Sequence, residues 1–266
     1  LSRLSDQQYL LDQQYRDASN LNARIQLHVR FRTNRYGWLR WVFDQFGLPA
    51  HSRILELGCG PGRLWLDNLP RIPAGWDITL SDFSPGMLDE AKRNLVGSPH
   101  PFQCKVIDAQ SIPFDDGQFD AVIANHMLYH VPDRQKALAE IQRVLKPGGR
   151  FYAATNGRAH LQEIEDLVHG FYPDAIKWRE QMAQSFTLET GAEQLSRWFA
   201  HISLRRYEDG LVVTEAGPLV AYVLSGLFGA SFSDAQSTQF RHYVEGEIAA
   251  RGAIRITKDS GLFEAY

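Results

Sequence analysis

The segment Ile54-Leu-Glu-Leu-Gly-Cys-Gly-Pro-Gly62 constrains this chain more than any other: an apolar, strand-forming run ends in a turn with glycine at every second position. Glycine has no Cβ and tolerates positive φ, so Gly58, Gly60 and Gly62 can bend tightly and let a ligand rest on main-chain N–H groups at the start of a helix. The segments that follow repeat the strand-then-helix unit. Arg53 to Leu57, Asp77 to Ser81, Phe102 to Ile107, Phe119 to Ala124 and Arg150 to Ala154 read as short β-rich runs. Helices are expected at Arg63 to Asn68, Pro85 to Val96 and Asp133 to Leu145, the last stopped by Lys146-Pro147-Gly148-Gly149. This alternation predicts a parallel sheet with crossover helices.

Three regions follow from that pattern: an N-terminal helical extension or lid (residues 1–47), a core (48–155), and a late region (156–266) of cap helices and terminal strands. In the late region the pattern predicts helices at 159–170, 189–200, 216–227 and 234–251, with strands at 203–208 and 253–257. A chain of 266 residues suits one enlarged α/β domain. Its 44% hydrophobic and 22% charged residues are those of an ordinary soluble protein, and no apolar run approaches membrane-spanning length. A net charge of −3 argues against a dedicated nucleic-acid binder. Cys59 and Cys104 have neither metal-ligand nor redox spacing, which points to a reducing compartment, the cytoplasm. The sequence opens on Leu1 rather than Met, leaving a removed targeting segment open.

Acids mark the ends of the next two strands. Asp82 can accept hydrogen bonds from both hydroxyls of a ribose, and Asp108 from an exocyclic amine such as that of adenine, with Phe83 and Met87 offering apolar surface to the ring. Either acid could equally cap the helix that follows it.

Glu56-Leu-Gly-Cys-Gly-Pro-Gly62, Asp82-Phe83, Asp108-Ala-Gln110, Phe119-Asp-Ala-Val-Ile-Ala-Asn125 and Leu145-Lys-Pro-Gly-Gly149 resemble, in order and spacing, the motifs of the class I S-adenosylmethionine (SAM)-dependent methyltransferases. The resemblance covers roughly residues 50 to 155 closely. It implies a Rossmann-like seven-stranded α/β sheet of order 3-2-1-4-5-7-6 with an antiparallel last strand, and SAM as cofactor, with S-adenosylhomocysteine (SAH) as product. It further implies that the glycine loop (Gly58, Cys59, Gly60, Gly62) meets the methionyl part, that Asp82 holds the ribose and that Asp108 faces adenine, with Phe83, Met87, Ala109 and Gln110 also expected among the cofactor-binding residues. Glu56 and Asn125 would lie near the methionyl amino group.

The stretch Asn125-His-Met-Leu-Tyr-His130 sits where open α/β sheets place ligands. His130 or His126 could take a proton near neutral pH. A pair of histidines at i and i+4 also suits a metal, but no third ligand follows in sequence, so none is expected. His-Met-Leu-Tyr-His-Val-Pro-Asp133 is similar to small-molecule methyltransferases of quinone biosynthesis and to phosphoethanolamine methyltransferases. The second resemblance implies a lid tyrosine working with His130, for which Tyr15 is the first choice and Tyr9 the second. Between Asp17 and Asp44 the extension carries Arg24, Arg30, Arg32, Arg35 and Arg40 and no acid, so one arginine could reach a carboxylate or phosphate while the rest pair on the surface. Late aromatics, among them Phe171, Tyr172, Trp178, Phe186, Trp198, Phe199, Tyr222, Phe228 and Phe232, are mostly core, with two or three expected on a pocket wall. The expectation is therefore methyl transfer to a small-molecule acceptor, to O, N or C, without nucleic-acid or membrane partners. A nicotinamide-dependent oxidoreductase and a non-catalytic SAM-binding module stay open as alternatives. Oligomeric state is not legible.

Overall fold

The structure is a computed structural model that describes residues 4–175, 182, 185–226 and 232–266. After a short helical turn at Gln7–Tyr9 and a wider one at Leu10–Gln14, the elements run α1 Ser19–Phe31, α2 Trp38–Asp44, β1 Arg53–Leu57, α3 Arg63–Leu66, β2 Asp77–Asp82, α4 Pro85–Asn94, β3 Phe102–Val106 and β4 Phe119–Asn125. They continue α5 Arg134–Val144, β5 Leu145–Asn156, α6 Gln162–Phe171, α7 Gly191–Leu195, β6 Ile202–Val213, α8 Ala216–Leu224, α9 Asp234–Arg251 and β7 Ile254–Ala265. The seven strands form one sheet of order β3-β2-β1-β4-β5-β7-β6. β1 to β5 pair in parallel, and β7 runs antiparallel to both β5 and β6. This is the Rossmann-like arrangement expected from sequence.

Both faces of the sheet are covered, which explains the near-continuous apolar runs of β1 and β4. On one face Leu55, Leu57, Val122 and Ala124 pack against Ala137, Leu138, Ile141 and Val144 of α5. Ile54, Ala121 and Ile123 face the other way, onto Trp65, Leu88 and Ala91. The caps were written in the sequence: Ser84 accepts from the Met87 N–H at 3.2 Å before Pro85, and Asp133 accepts from Lys136 N–H at 3.0 Å.

The outer part of the chain forms a third cluster, and α1 belongs to it. Leu27 and Phe31 are buried with Ile164 and Val168 of α6, Leu219 and Val223 of α8, and Phe240 and Val244 of α9. Within the N-terminal extension α1 is therefore anchored in the cap, whereas α2 and the turn after it pack on the sheet through Val42, Phe43 and Phe46. Asp209 fixes the start of the next segment by accepting from the N–H groups of Thr33 (3.1 Å) and Asn34 (2.9 Å).

Several boundaries differ from the sequence reading. The helix expected at 189–200 is only Gly191–Leu195, because the chain must turn there to enter β6, and Trp198 and Phe199 pack on the sheet face from that turn. The strands expected at 203–208 and 253–257 are Ile202–Val213 and Ile254–Ala265, since they pair antiparallel in unbroken register from Ile202↔Ala265 to Val213↔Ile254. That ladder carries backbone pairing through Asp259-Ser260-Gly261, which lacks strand propensity. The helix expected at 216–227 ends at Leu224, and Trp178 and Phe228 lie outside the described residues.

Candidate active site

A cavity of about 490 Å³ opens at the carboxyl ends of β1, β2 and β4 and extends under α1 and α2. Of the residues singled out from sequence, Glu56, Gly58, Cys59, Gly60, Asp82, Phe83, Met87, Asp108, Ala109, Asn125, His126, His130 and Tyr15 line it. Gly62 and Gln110 do not. Gly62, at φ +73°, lets α3 sit close to α4: a Cβ there would lie 3.2 Å from Leu95 and 3.3 Å from Ala91. Gln110 holds Asp108 from behind, donating from Nε2 to both carboxylate oxygens at 3.0 and 3.1 Å.

At one end the glycine turn curls over the sheet edge. A side chain at Gly58, at φ +68°, would strike Met127 Cβ at 2.7 Å, so the turn admits no residue with a Cβ. Asp82 ties this turn to β2, accepting from Gly60 N–H (2.9 Å) and Ser84 N–H (2.8 Å) with different oxygens. Each oxygen keeps a lone pair for a further donor. Burial raises the Asp82 pKa, against the lowering effect of the N–H groups of Ser84, Gly60 and Phe83. Burial also pushes Glu56 up to about 8, opposed by the indole of Trp65, which donates to its Oε2 at 2.6 Å. The Oδ1 of Asn125 is buried without a hydrogen-bond partner among the described residues. Buried acceptors are rarely left so, and this one faces a cavity able to supply a donor. The donors and acceptors at this end fit an adenosine bearing an amino acid: Asp82 for a diol, Asp108 for an amine, Glu56 and Asn125 for an ammonium group.

At the other end the walls come from distant parts of the chain. Tyr15 Oη lies 2.9 Å from His130 Nε2, and His130 Nδ1 lies 2.7 Å from the Leu4 carbonyl. A carbonyl only accepts, so Nδ1 carries the proton and Nε2 accepts from the phenol. Burial pushes the His130 pKa down to about 4, the Leu4 carbonyl opposing and Arg24 adding to the effect, so the ring is neutral at pH 7. Ser84 Oγ donates to the Tyr15 carbonyl at 2.7 Å, tying the lid segment to the strand end that carries Asp82. His126 adopts φ +57°, rare for a residue with a side chain, and its ring stacks at a tilt 5.2 Å from Trp38. Burial depresses His126 to about 4 and His28 to about 3, and pushes His160 well down. No group of three or more His, Cys, Asp or Glu side chains able to hold a metal occurs among the described residues.

Sequence reasoning missed several wall residues. His28 and His160 stack 6.3 Å apart, and Lys258 pairs with Asp209 at 2.5 Å with side chains only 8% and 1% exposed. Gln7 Nε2 reaches Asp108 at 3.3 Å. The only available signal was a buried-type Lys and Asp on two terminal strands, and it becomes informative only once β6 and β7 are paired. Of the lid arginines, Arg30 pairs with Glu215 at 2.6 Å, whereas Arg24, Arg32 and Arg40 line the cavity. Tyr222 is the late aromatic on its wall.

Fold and cavity together define a Rossmann-like α/β protein with a glycine turn on the wall of a cavity at its strand ends. A methyltransferase domain family matches residues 55–153. The chain is 38% identical over 191 residues to the demethylmenaquinone methyltransferase of Renibacterium salmoninarum, covering 66% of this chain and 78% of that protein. It is 32% identical over 137 residues to the ubiquinone/menaquinone biosynthesis C-methyltransferase UbiE of a Geobacter species, covering 51% of this chain and 58% of that protein. The chain spans little more than half the length of the second of these relatives and about three quarters of the first. Among solved structures, phosphoethanolamine N-methyltransferase 2 of Haemonchus contortus, in complex with SAM, superposes with a TM-score of 0.61 at 19% identity over 97% of this chain and 59% of that one. At that identity the likeness is one of fold. The chain belongs to the class I SAM-dependent methyltransferases, and SAM is the cofactor of that family.

Proposed function

We propose that this protein transfers the methyl group of SAM to a small-molecule acceptor, and that the acceptor is a hydroxylated, quinone-type ring methylated on carbon. The single observation that carries the reading is the Tyr15–His130 pair, which stands in the same cavity as the glycine turn, Asp82 and Asp108. The quinone-type acceptor and transfer to carbon are supported by the names of the relatives above.

Bound SAM supplies a methyl group on a sulfonium sulfur, which departs as the neutral thioether of SAH. The protein's share is placement and proton management. Glu56, Asp82, Asp108 and Asn125 fix the cofactor end, so that a ring seated beyond Met127 meets the methyl group in line. Tyr15 donates its proton to His130 Nε2 and turns its oxygen lone pairs to the cavity, where they can accept the proton of an acceptor hydroxyl. As that proton reaches Tyr15, the phenolic proton moves to His130, and the ring carbon beside the deprotonated oxygen becomes the nucleophile; once methylated, that carbon releases its own proton to water and the ring oxygen regains one, which restores the aromatic ring. The Leu4 carbonyl keeps the imidazole in the tautomer this requires.

Incubation with SAM and 1,4-naphthohydroquinone under anaerobic conditions, read by mass spectrometry and proton NMR, tests the proposal. A product one methyl heavier with the methyl on a ring carbon is expected. A methyl on oxygen would discard carbon transfer. Tight SAH binding without turnover on any phenolic or hydroquinone acceptor would leave the cofactor-binding module as the reading.

A further inference from the structure

Arg24 stands against the Tyr15–His130 pair, over the Tyr15 ring, and still keeps a buried donor without a partner among the described residues. Its Nε donates to the Asn20 carbonyl at 3.2 Å, one helical turn back, which locks the side chain against α1. Its guanidinium carbon stands 5.5 Å from the centre of the Tyr15 ring, and its Nη2 is buried with no hydrogen-bond partner among the described residues. No carboxylate pairs with it among those residues, although Arg30, six positions along the same helix, has Glu215. The groups that surround it are phenols, Tyr15, Tyr129 and Tyr222, and burial pushes Tyr222 up to about 12 and Tyr129 higher still, so neither offers a negative charge at neutral pH. A guanidinium withdrawn from water and left without an anion is costly, and a site that keeps one gains most by receiving an anionic oxygen from a ligand.

The location says which ligand. Arg24 lies where the main cavity meets a second one of about 150 Å³, and Tyr15, Tyr129, His130 and Tyr222 line both. The glycine turn, Asp82 and Asp108 line only the first. Arg24 therefore shares both cavities with the proton-handling residues, and the smaller one lacks the adenosine-compatible acids.

We propose that Arg24 is the anion-binding residue of the acceptor subsite, and that the acceptor carries a carboxylate or phosphate which enters between Tyr15, Tyr129 and Tyr222 while its reacting ring faces the glycine turn. This rests on the methyltransferase reading and narrows its substrate class to anionic ring compounds. Two planar N–H donors suit either group. The smaller cavity receives the charged substituent.

Calorimetry on the SAH-loaded protein with 4-hydroxybenzoate, phenyl phosphate and the uncharged 4-hydroxybenzamide provides the test, in the native chain and in Arg24→Met and Arg24→Lys. The native protein should bind one or both anions at least about tenfold more tightly than the amide, as expected for a charge-assisted bond. Arg24→Met should abolish that preference and Arg24→Lys restore part of it, while SAH affinity stays within about twofold in both. Equal binding of anions and amide by the native chain, or no measurable binding of either anion, would overturn the proposal. So would a tenfold or greater loss of SAH affinity in Arg24→Met with the anion preference intact, which would give Arg24 to the cofactor carboxylate. Should the native chain fail to bind SAH at all, the methyltransferase reading falls, and the same titrations on the unloaded protein still report whether Arg24 selects anions. Circular dichroism of both variants separates a folding failure from a lost contact, and Arg24→Lys carries the test if Arg24→Met does not fold.

Discussion

The two ends of the cavity are built in opposite ways. The cofactor end is assembled from strand ends that are neighbours in space, and main-chain N–H groups hold two of its acids, Asp82 by Gly60 and Ser84 and Asp108 by Gln110 at 2.9 Å, while the Trp65 indole holds Glu56. The acceptor end joins Leu4, Tyr15 and Arg24 to His130, His160 and Tyr222, which lie more than a hundred residues further along the chain, largely through side chains. Backbone-held groups keep their positions through most substitutions of their neighbours, whereas groups held by side chains can be exchanged one at a time. The first end suits a fixed cofactor and the second a variable acceptor.

The largest expected difference between the ends is in pH dependence. At the acceptor end His28, His126 and His130 are depressed to about 3, 4 and 4 by burial, and His160 is pushed well down. Below pH ~6.5 the unfolded chain protonates these rings while the folded chain does not, so stability is lost as pH falls from about 6.5 towards 4. Glu56, raised to about 8, works the other way, as does Asp82, which burial also raises: folded, each takes up its proton before the unfolded carboxyl does and gains stability as pH falls. Four rings against two carboxyls leave a net loss on the order of a few kcal/mol between pH 7 and pH 5. Urea denaturation of the ligand-free protein at the two pH values measures it, and equal or greater stability at pH 5 would mean that water reaches these rings.

Kinetics should divide the ends next. His130→Ala is expected to slow single-turnover methyl transfer by roughly a hundredfold or more, with SAH affinity within about twofold. A near-native rate would reduce the acceptor end to simple placement of the reactants.

Asp82→Ala is the reciprocal experiment. Removing an acceptor of ribose hydroxyls should weaken SAH binding by about 1 to 3 kcal/mol in calorimetry. The same change frees the N–H groups of Gly60 and Ser84, so the glycine turn should loosen and exchange its amide protons faster. Unchanged affinity would remove Asp82 from the cofactor contacts.

The smallest effect belongs to Tyr15→Phe, which keeps the ring beside Arg24 and deletes the hydroxyl bonded to His130. A rate lowered by about tenfold, with unaltered SAH binding, is expected of a group that passes a proton to its base. If Tyr15→Phe instead weakens SAH more than it slows the reaction, the lid segment serves the cofactor end and the division drawn above fails.

Legibility followed the same division. The order and spacing of Gly58, Gly60, Asp82, Asp108 and Asn125 pointed to the sheet order and the cofactor wall, because each sits at a strand end set by local pattern and capping. The helix at 234–251 was legible at both ends: Ser233 and Gln236 form a capping box, and Gly252 closes the far end at φ +75°. The resemblance that pointed to Tyr15 and His130 needed a motif around His130. His28, His160 and Lys258 had no motif and were not found. Gly62 and Gln110 lie in motif positions yet stand behind the wall, since a motif records spacing and not the direction of a side chain.

By itself, then, the sequence determined a parallel sheet with crossover helices, a glycine turn at the end of its first strand, and acids at the next two strand ends, while the seven-stranded order came from the family resemblance. The first three depend on propensity, periodicity and capping within a few residues of the group concerned. Only the tertiary structure decided that α1 packs into the cap, and that no described carboxylate pairs with Arg24 while Arg30 finds Glu215. Those outcomes depend on which side chains remain buried once distant helices have covered each other's apolar faces, and no local pattern encodes that.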